Sequence, residues 1–173
     1  MLDISLKPAQ IEDYDDYYAV RSCPGDVYWN GYKDKPNKDD FFELFQKRLG
    51  NTRLEKPEDR RIYLVRLHDA GDERSIGFIQ LIKRTDGIDI SYTIMEDWQR
   101  HGYASRALML GVAQAKQLSD HIYVQIRDDN EASQKVALKC GFVRTDETVV
   151  KDYPLVGKIK LRKYRLNQGS EIT

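Results

Sequence analysis

Two hydrophobic periods alternate along the chain, and their order predicts its architecture. Leu2 to Leu6 alternates apolar and polar residues, the two-residue period of a strand. After Pro8, Ile11, Tyr14, Tyr18 and, at the margin, Arg21 trace one face of a helix that Pro24-Gly25 stops. An aromatic loop follows, Tyr28-Trp29-Asn30-Gly31-Tyr32. A second helix comes next, capped by Asn37, with Phe41, Phe42, Leu44, Phe45 and Leu49 as its apolar positions and Gly50 past its end.

Beyond the polar loop Asn51–Asp59, Arg61–His68 and Ile76–Lys83 read as strands joined by a turn over Asp69–Glu73. Thr85-Asp86-Gly87 turns the chain into a third strand, Ile88–Met95. Its faces differ: Ile88, Ile90, Tyr92 and Ile94 on one, Asp89, Ser91 and Thr93 on the other. From Ala104 the spacing changes to three and four, with Ala104, Ala107, Leu108, Gly111, Val112, Ala115 and Leu118 marking a long helix. Ile122–Ile126 alternates again, and a helix over Asn130–Cys140 ends at Gly141 in the left-handed position. Phe142–Val150 and Ile159–Leu166 make a last antiparallel pair, with Lys151–Gly157 as their connection.

Strand, two helices, three strands, helix, strand, helix and two strands mix hairpins with helical crossovers. That order predicts a single α/β (α+β) domain over residues 1–167 with a mixed sheet, followed by a frayed polar tail, 168–173. Composition agrees. A chain of 173 residues, 40% hydrophobic and 32% charged, suits one domain. Lys plus Arg (28) balance Asp plus Glu (28), so nothing in the bulk charge draws it to nucleic acid or to an anionic membrane. Cys23 and Cys140 are too few for a disulfide framework, and three scattered histidines predict no metal site. Met1–Ser5 lacks the basic and apolar regions of a signal peptide, and no apolar run approaches a membrane span, so a cytoplasmic protein is expected.

The stretch from Glu96 to Ala107 carries the candidate chemistry. A loop with one glycine runs straight into an amphipathic helix. Such a loop can aim backbone N–H groups outward beside the positive end of the helix dipole, a setting for a phosphate or pyrophosphate. The three glycines of a dinucleotide fingerprint and the Gly-Lys-Ser/Thr of a Walker loop are both missing, which argues against those two folds.

What does stand there, Gln99-x-x-Gly102-x-Ala104, resembles the acetyl-CoA pyrophosphate loop of the GNAT acetyltransferase superfamily. Asn130, Ser133, Lys139 and Gly141-Phe142 are similar to the signature of its ribosomal-protein alanine acetyltransferase branch (RimJ and RimL). The resemblance implies a mixed, mostly antiparallel sheet whose central strands, Ile88–Met95 and Ile122–Ile126, splay around the pantetheine arm. It also implies acetyl-CoA as co-substrate, no metal, and direct transfer to a primary amine in a ternary complex. The amine would belong to a protein N-terminus or a small molecule, and the enzyme would be a monomer or homodimer. An acyl-CoA-binding regulatory domain without turnover is the alternative.

Acetyl transfer needs a held pyrophosphate, a polarised carbonyl, a deprotonated amine and a stabilised thiolate. The resemblance assigns the first to Gln99, Arg100, His101, Gly102, Tyr103, Ala104 and Ser105, with Arg106 beside them. The carbonyl falls to a backbone N–H at Ile94 or Met95, the arm to Asn130, and the sulfur to Ser133. Ala137 stands where many relatives carry a tyrosine acid, so Ser133 or a water takes that duty or the thiolate leaves unprotonated. Asp89 is the first candidate base, with Tyr92 and Glu96 as others. Tyr28, Trp29 and Tyr32 are candidates for acceptor contact.

Overall fold

The computed structural model describes residues 2–153 and 155–169, so the tail expected over 168–173 lies outside the described residues beyond Gly169. Among the described residues seven strands form one sheet in the order β1-β2-β3-β4-β5-β7-β6. They are β1 (Asp3–Pro8), β2 (Arg60–Asp69), β3 (Asp72–Arg84), β4 (Gly87–Ile94), β5 (Ile122–Arg127), β6 (Phe142–Tyr153) and β7 (Gly157–Leu166). Every neighbouring pair is antiparallel except β4 and β5. The mixed sheet expected from the element order is therefore present.

Among the described residues five α-helices cover the two faces: α1 (Tyr14–Arg21), α2 (Pro24–Trp29), α3 (Lys38–Leu49), α4 (Tyr103–Ala115) and α5 (Glu131–Lys139). The face under α4 and α5 is aliphatic, joining Ile79, Leu81, Ile88, Ile90, Leu108, Val112 and Val124 in one cluster. Gly111 lets α4 come close, since a Cβ there would sit 3.0 Å from Ile79 Cγ2. The opposite face is aromatic. Tyr17 stacks on Phe45 at 4.8 Å and meets Phe78 edge-on at 5.7 Å, contacts worth about 0.5–1.5 kcal/mol each beyond their burial.

Two expectations need correction here. The buried face of α1 is Tyr14, Tyr17 and Val20, not Ile11, Tyr14 and Tyr18; Ile11 is exposed and Tyr18 only half-buried. A short 3-10 turn over Ile11–Asp13 precedes the helix and resets its phase. Pro24-Gly25 does not simply end a helix, because Pro24 begins α2. Proline suits a helix's first position, where its missing N–H costs nothing. Tyr28 and Trp29 therefore belong to that helix rather than to a loop. Asn37 does cap α3, its Oδ1 accepting from the N–H groups of Asp39 and Asp40 at 3.0 and 3.1 Å.

Between β4 and β5 the sheet opens. Pairing covers Ile88 with Ile122 and Asp89 with Tyr123 and goes no further. Beyond that point the strands diverge, and a cavity of about 730 Å³ occupies the gap. It reaches both layers, since Ala104 and Ser133 on one side and Arg21 and Trp29 on the other line it.

Candidate active site

Strand parity decides what the gap contains. Met95 N–H donates to Ile76 O at 2.9 Å, so odd-numbered residues of β4 turn their backbone groups toward β3. Even-numbered residues face β5, as Ile88 N–H shows by donating to His121 O at 2.8 Å. The pairing of Asp89 with Tyr123 spends the Ile90 N–H in the β4–β5 ladder; once β5 has departed, the N–H groups of Tyr92 and Ile94 face the cavity instead of a strand. Met95 is thereby excluded as a donor to a carbonyl, because its N–H is spent within the sheet. Its side chain packs against the aromatic cluster.

At the open end of β4 the chain passes a 3-10 turn, Glu96–Trp98, and enters α4. Gln99 Nε2 donates to Ile94 O at 2.9 Å, which ties the loop to the strand end. Arg100 and Gly102 both adopt left-handed backbone, with φ of 62° and 79°. Glycine does this freely, whereas for Arg100 it costs about 1–2 kcal/mol, strain of a kind that collects at functional sites. The resulting loop turns a run of N–H groups outward. Among the described residues, those from Arg100 to Ser105 find no acceptor. Together with the dipole of α4 they form an anion cradle.

Side chains around the cradle divide. Gln99, Arg100, Gly102, Ala104 and Ser105 line the cavity; His101 and Tyr103 do not. His101 is exposed and stacks on Tyr103 at 5.9 Å, while Tyr103 belongs to the aliphatic core. Arg106 is committed to β1, reaching Leu2 O at 2.8 Å and Asp3 Oδ1 at 2.7 Å, so its charge does not face the cradle.

Asn130 caps α5, with Oδ1 accepting from Ser133 N–H at 3.1 Å. That leaves its amide Nδ2 for another partner, and Asn130 lines the cavity. Ser133 lies one turn on and also lines it. Its carbonyl accepts from the Tyr92 hydroxyl at 3.3 Å, which brings the strand's tyrosine to the helix's serine. Burial pushes the Tyr92 hydroxyl well above its ordinary pKa. It stays protonated and so fits a proton donor better than a base.

On the aromatic side the structure reveals a group that sequence reasoning missed. Asp26, on α2, is 3% exposed and lines the cavity. Its Oδ1 accepts from Thr93 Oγ1 at 2.7 Å, and Oδ2 lies 3.3 Å from Arg21 Nε. Burial raises its pKa; Arg21 and Thr93 oppose the rise, and Glu96 adds to it. The sequence signal was Pro24 followed by an acidic first turn, a helix start read as a stop.

Asp89 lies at the closed end and is 5% exposed, so it is not a solvated strand residue. Arg84 holds it, Nη2 and Nε lying 3.1 and 3.3 Å from Oδ2. Burial raises its pKa against the pull of Arg84. Glu96 is bound elsewhere, accepting from Gly25 N–H, and is not on the cavity wall.

Trp29 and Tyr32 line the cavity, but Tyr28 does not. Instead the Arg127 guanidinium sits 5.6 Å from the Tyr28 ring and 5.1 Å from Trp29. Arg127 thus bridges β5 to α2 across the mouth.

The model of the acetyltransferase (GNAT) domain matches residues 3–143. The chain belongs to the GNAT acetyltransferase family. It is an acetyltransferase whose acetyl donor is acetyl-CoA and whose acceptor is an amine. Solved structures share the fold at low identity. A spermidine N-acetyltransferase from Vibrio cholerae, in complex with CoA and spermine, superposes with a TM-score of 0.73 at 17% identity, covering 94% of this chain and 93% of that one. AAC(6')-Ib, in complex with paromomycin and acetyl-CoA, gives 0.74 at 17% identity over 95% and 93% of the two chains. RimL, a ribosomal L7/L12 α-N-protein acetyltransferase in complex with coenzyme A, gives 0.73 at 14% identity over 94% and 92%. No curated protein sequence matches the chain. Among the described residues no helix is long and apolar enough to cross a membrane, and no group of His, Cys, Asp and Glu is arranged to hold a metal.

Proposed function

We propose that the chain acetylates a primary amine, of a protein N-terminus or a small molecule, by direct transfer while both substrates are bound. The observation that carries this reading is the splay itself. It turns the N–H groups of Tyr92 and Ile94 into one cavity open to both layers of the molecule. Acetyl-CoA supplies an acyl group already activated as a thioester, and the residues present suit its diphosphate and amides.

The N–H groups from Arg100 to Ser105 hold negative charge, and Gln99 fixes the loop that presents them. Ile94 N–H, with Tyr92 N–H behind it, donates to a carbonyl oxygen and stabilises the charge that grows there. Asn130 steadies an amide through Nδ2 while its Oδ1 caps α5. Ser133 and the protonated Tyr92 hydroxyl sit together where a departing thiolate would need a proton. This pair replaces the tyrosine absent at Ala137.

Asp26 is the better proton acceptor of the two buried carboxylates on the cavity wall. Its neighbour Glu96 favours proton uptake, and Thr93, its hydrogen-bond partner, adjoins Ile94. Asp89 is five residues of extended strand from Ile94, about 17 Å at 3.3 Å per residue. It keeps Arg84 in place. Trp29 and Tyr32 flank the acceptor.

Thiol release from acetyl-CoA across a panel of amines tests the reading. Intersecting initial-velocity patterns are expected, with no release until an amine is added. Accumulation of an acetylated enzyme in the absence of amine contradicts direct transfer.

A further inference from the structure

The acceptor side of the cavity carries more positive charge than deprotonating an amine requires. Arg21, Arg48, Arg60 and Lys151 reach its wall from α1, α3, β2 and β6. The carboxylates on that wall are Asp26 and Asp89, and both are committed, to Arg21 at 3.3 Å and to Arg84 at 3.1 Å. Arg60 has the exposed Glu58 at 3.5 Å. Arg48 donates to Tyr17 Oη at 3.3 Å, and among the described residues neither it nor Lys151 forms an ion pair. The Arg21 side chain is 10% exposed, and its Nε has no hydrogen-bond partner.

These cations oppose one another. Burial lowers the Arg60 pKa, and Arg48 and Arg84 add to that fall. Burial likewise lowers the Lys151 pKa; Asp89 opposes this, while Arg84, Arg60 and Arg21 reinforce it. Like charges converging on a partly desolvated wall cost free energy unless an anion offsets them.

We propose that the acceptor is an amine that also carries a carboxylate or phosphate, with that oxyanion seated among Arg48, Arg60 and Lys151. The amine half of this statement rests on the acetyl-transfer reading; the anion site does not. Spermine, bound in one of the similar structures, has amines and no anionic group. A molecule of that kind would meet these cations without relief.

Matched amines differing only in the anion test this: 4-aminobutyrate against its amide, and glucosamine 6-phosphate against glucosamine, with spermidine alongside. Each is titrated calorimetrically into protein saturated with coenzyme A, and each is assayed for thiol release with acetyl-CoA. The anionic member of at least one pair should bind about tenfold more tightly or better, and the pair that responds says whether carboxylate or phosphate is taken. Arg48→Met and Lys151→Met should bring the members of that pair together. Equal binding within both pairs, or spermidine binding most tightly, overturns the proposal. Tighter binding of anionic amines without thiol release keeps the anion site and rejects acetyl transfer to the amine seated with it. Release that is fastest with spermidine or the neutral amines does the reverse.

Discussion

At the scale of single residues, the site depends on which carboxylate takes the proton. Asp26 must be ionised to act, and its pKa lies above the ordinary carboxylate range because it is buried. Activity should therefore fall as pH drops through that raised value. Asp26→Asn is expected to lower kcat/KM by about a hundredfold or more at neutral pH and to remove that acid limb. Asp89→Asn should leave the limb in place. A pH profile of kcat/KM for the three proteins decides it, and an unaltered limb in Asp26→Asn would return the role to another group. Sequence had pointed to Asp89 from its place on the polar face of an amphipathic strand. The polar face was legible, but the ion pair with Arg84, five residues back at the end of β3, was not, because it depends on the register of the hairpin. Asp26 was hidden because its partner Thr93 is 67 residues away in the chain.

At the scale of elements, the two helix starts around the cavity work differently, α4 through its backbone and α5 through a side chain. α4 begins at a glycine with no capping side chain, so its first N–H groups stay open. α5 begins at Asn130, whose Oδ1 already serves the cap. Capping and ligand binding can be separated there. Asn130→Ala should cost about 1 kcal/mol of stability and weaken acetyl-CoA binding. Asn130→Asp keeps an acceptor for the cap but loses the amide donor, so the melting temperature should recover and the affinity should not. Full recovery of affinity in Asn130→Asp would make Asn130 a cap only. These starts were readable in the sequence because caps and glycines are local signals. The phase of α1 was not, since the short 3-10 turn before it and the burial of Tyr17 against Phe45 and Phe78 depend on remote packing. Nor was the convergence of Arg21, Arg48, Arg60 and Lys151, which lie up to 130 positions apart (151 less 21).

At the scale of the molecule, the sheet is a closed ladder on either side of one open seam. Its element order could be read from periodicity, whereas the seam needed the family resemblance, because a strand's pattern does not say where its partner leaves. Below the seam the closed end is fastened by Asp86. Its carboxylate takes Lys163 Nζ at 2.5 Å and Tyr123 Oη at 2.8 Å, joining the β3–β4 turn to β5 and β7. Burial alone would raise the Asp86 pKa, but those hydrogen bonds and the Lys163 charge prevail and bring it down to about 2 from 3.8. A pKa depressed on folding contributes stability that is present above the unfolded value and is lost as pH falls through the folded one. The wild-type protein should lose that contribution between pH 3.8 and about 2. Asp86→Asn should show a flatter decline over the same range in chemical denaturation. Identical acid profiles would mean that solvent screens the half-exposed Asp86 completely.

The central claim is that the seam between β4 and β5, with the loop before α4, is where acetyl-CoA lies. A crystal structure of the protein with coenzyme A tests it most directly. The account predicts the diphosphate within hydrogen-bond reach of the N–H groups between Arg100 and Ser105, the arm along Ile94 and Asn130, and the sulfur beside Ser133 and Tyr92. Coenzyme A bound at any other surface, with the seam left to solvent, would contradict it.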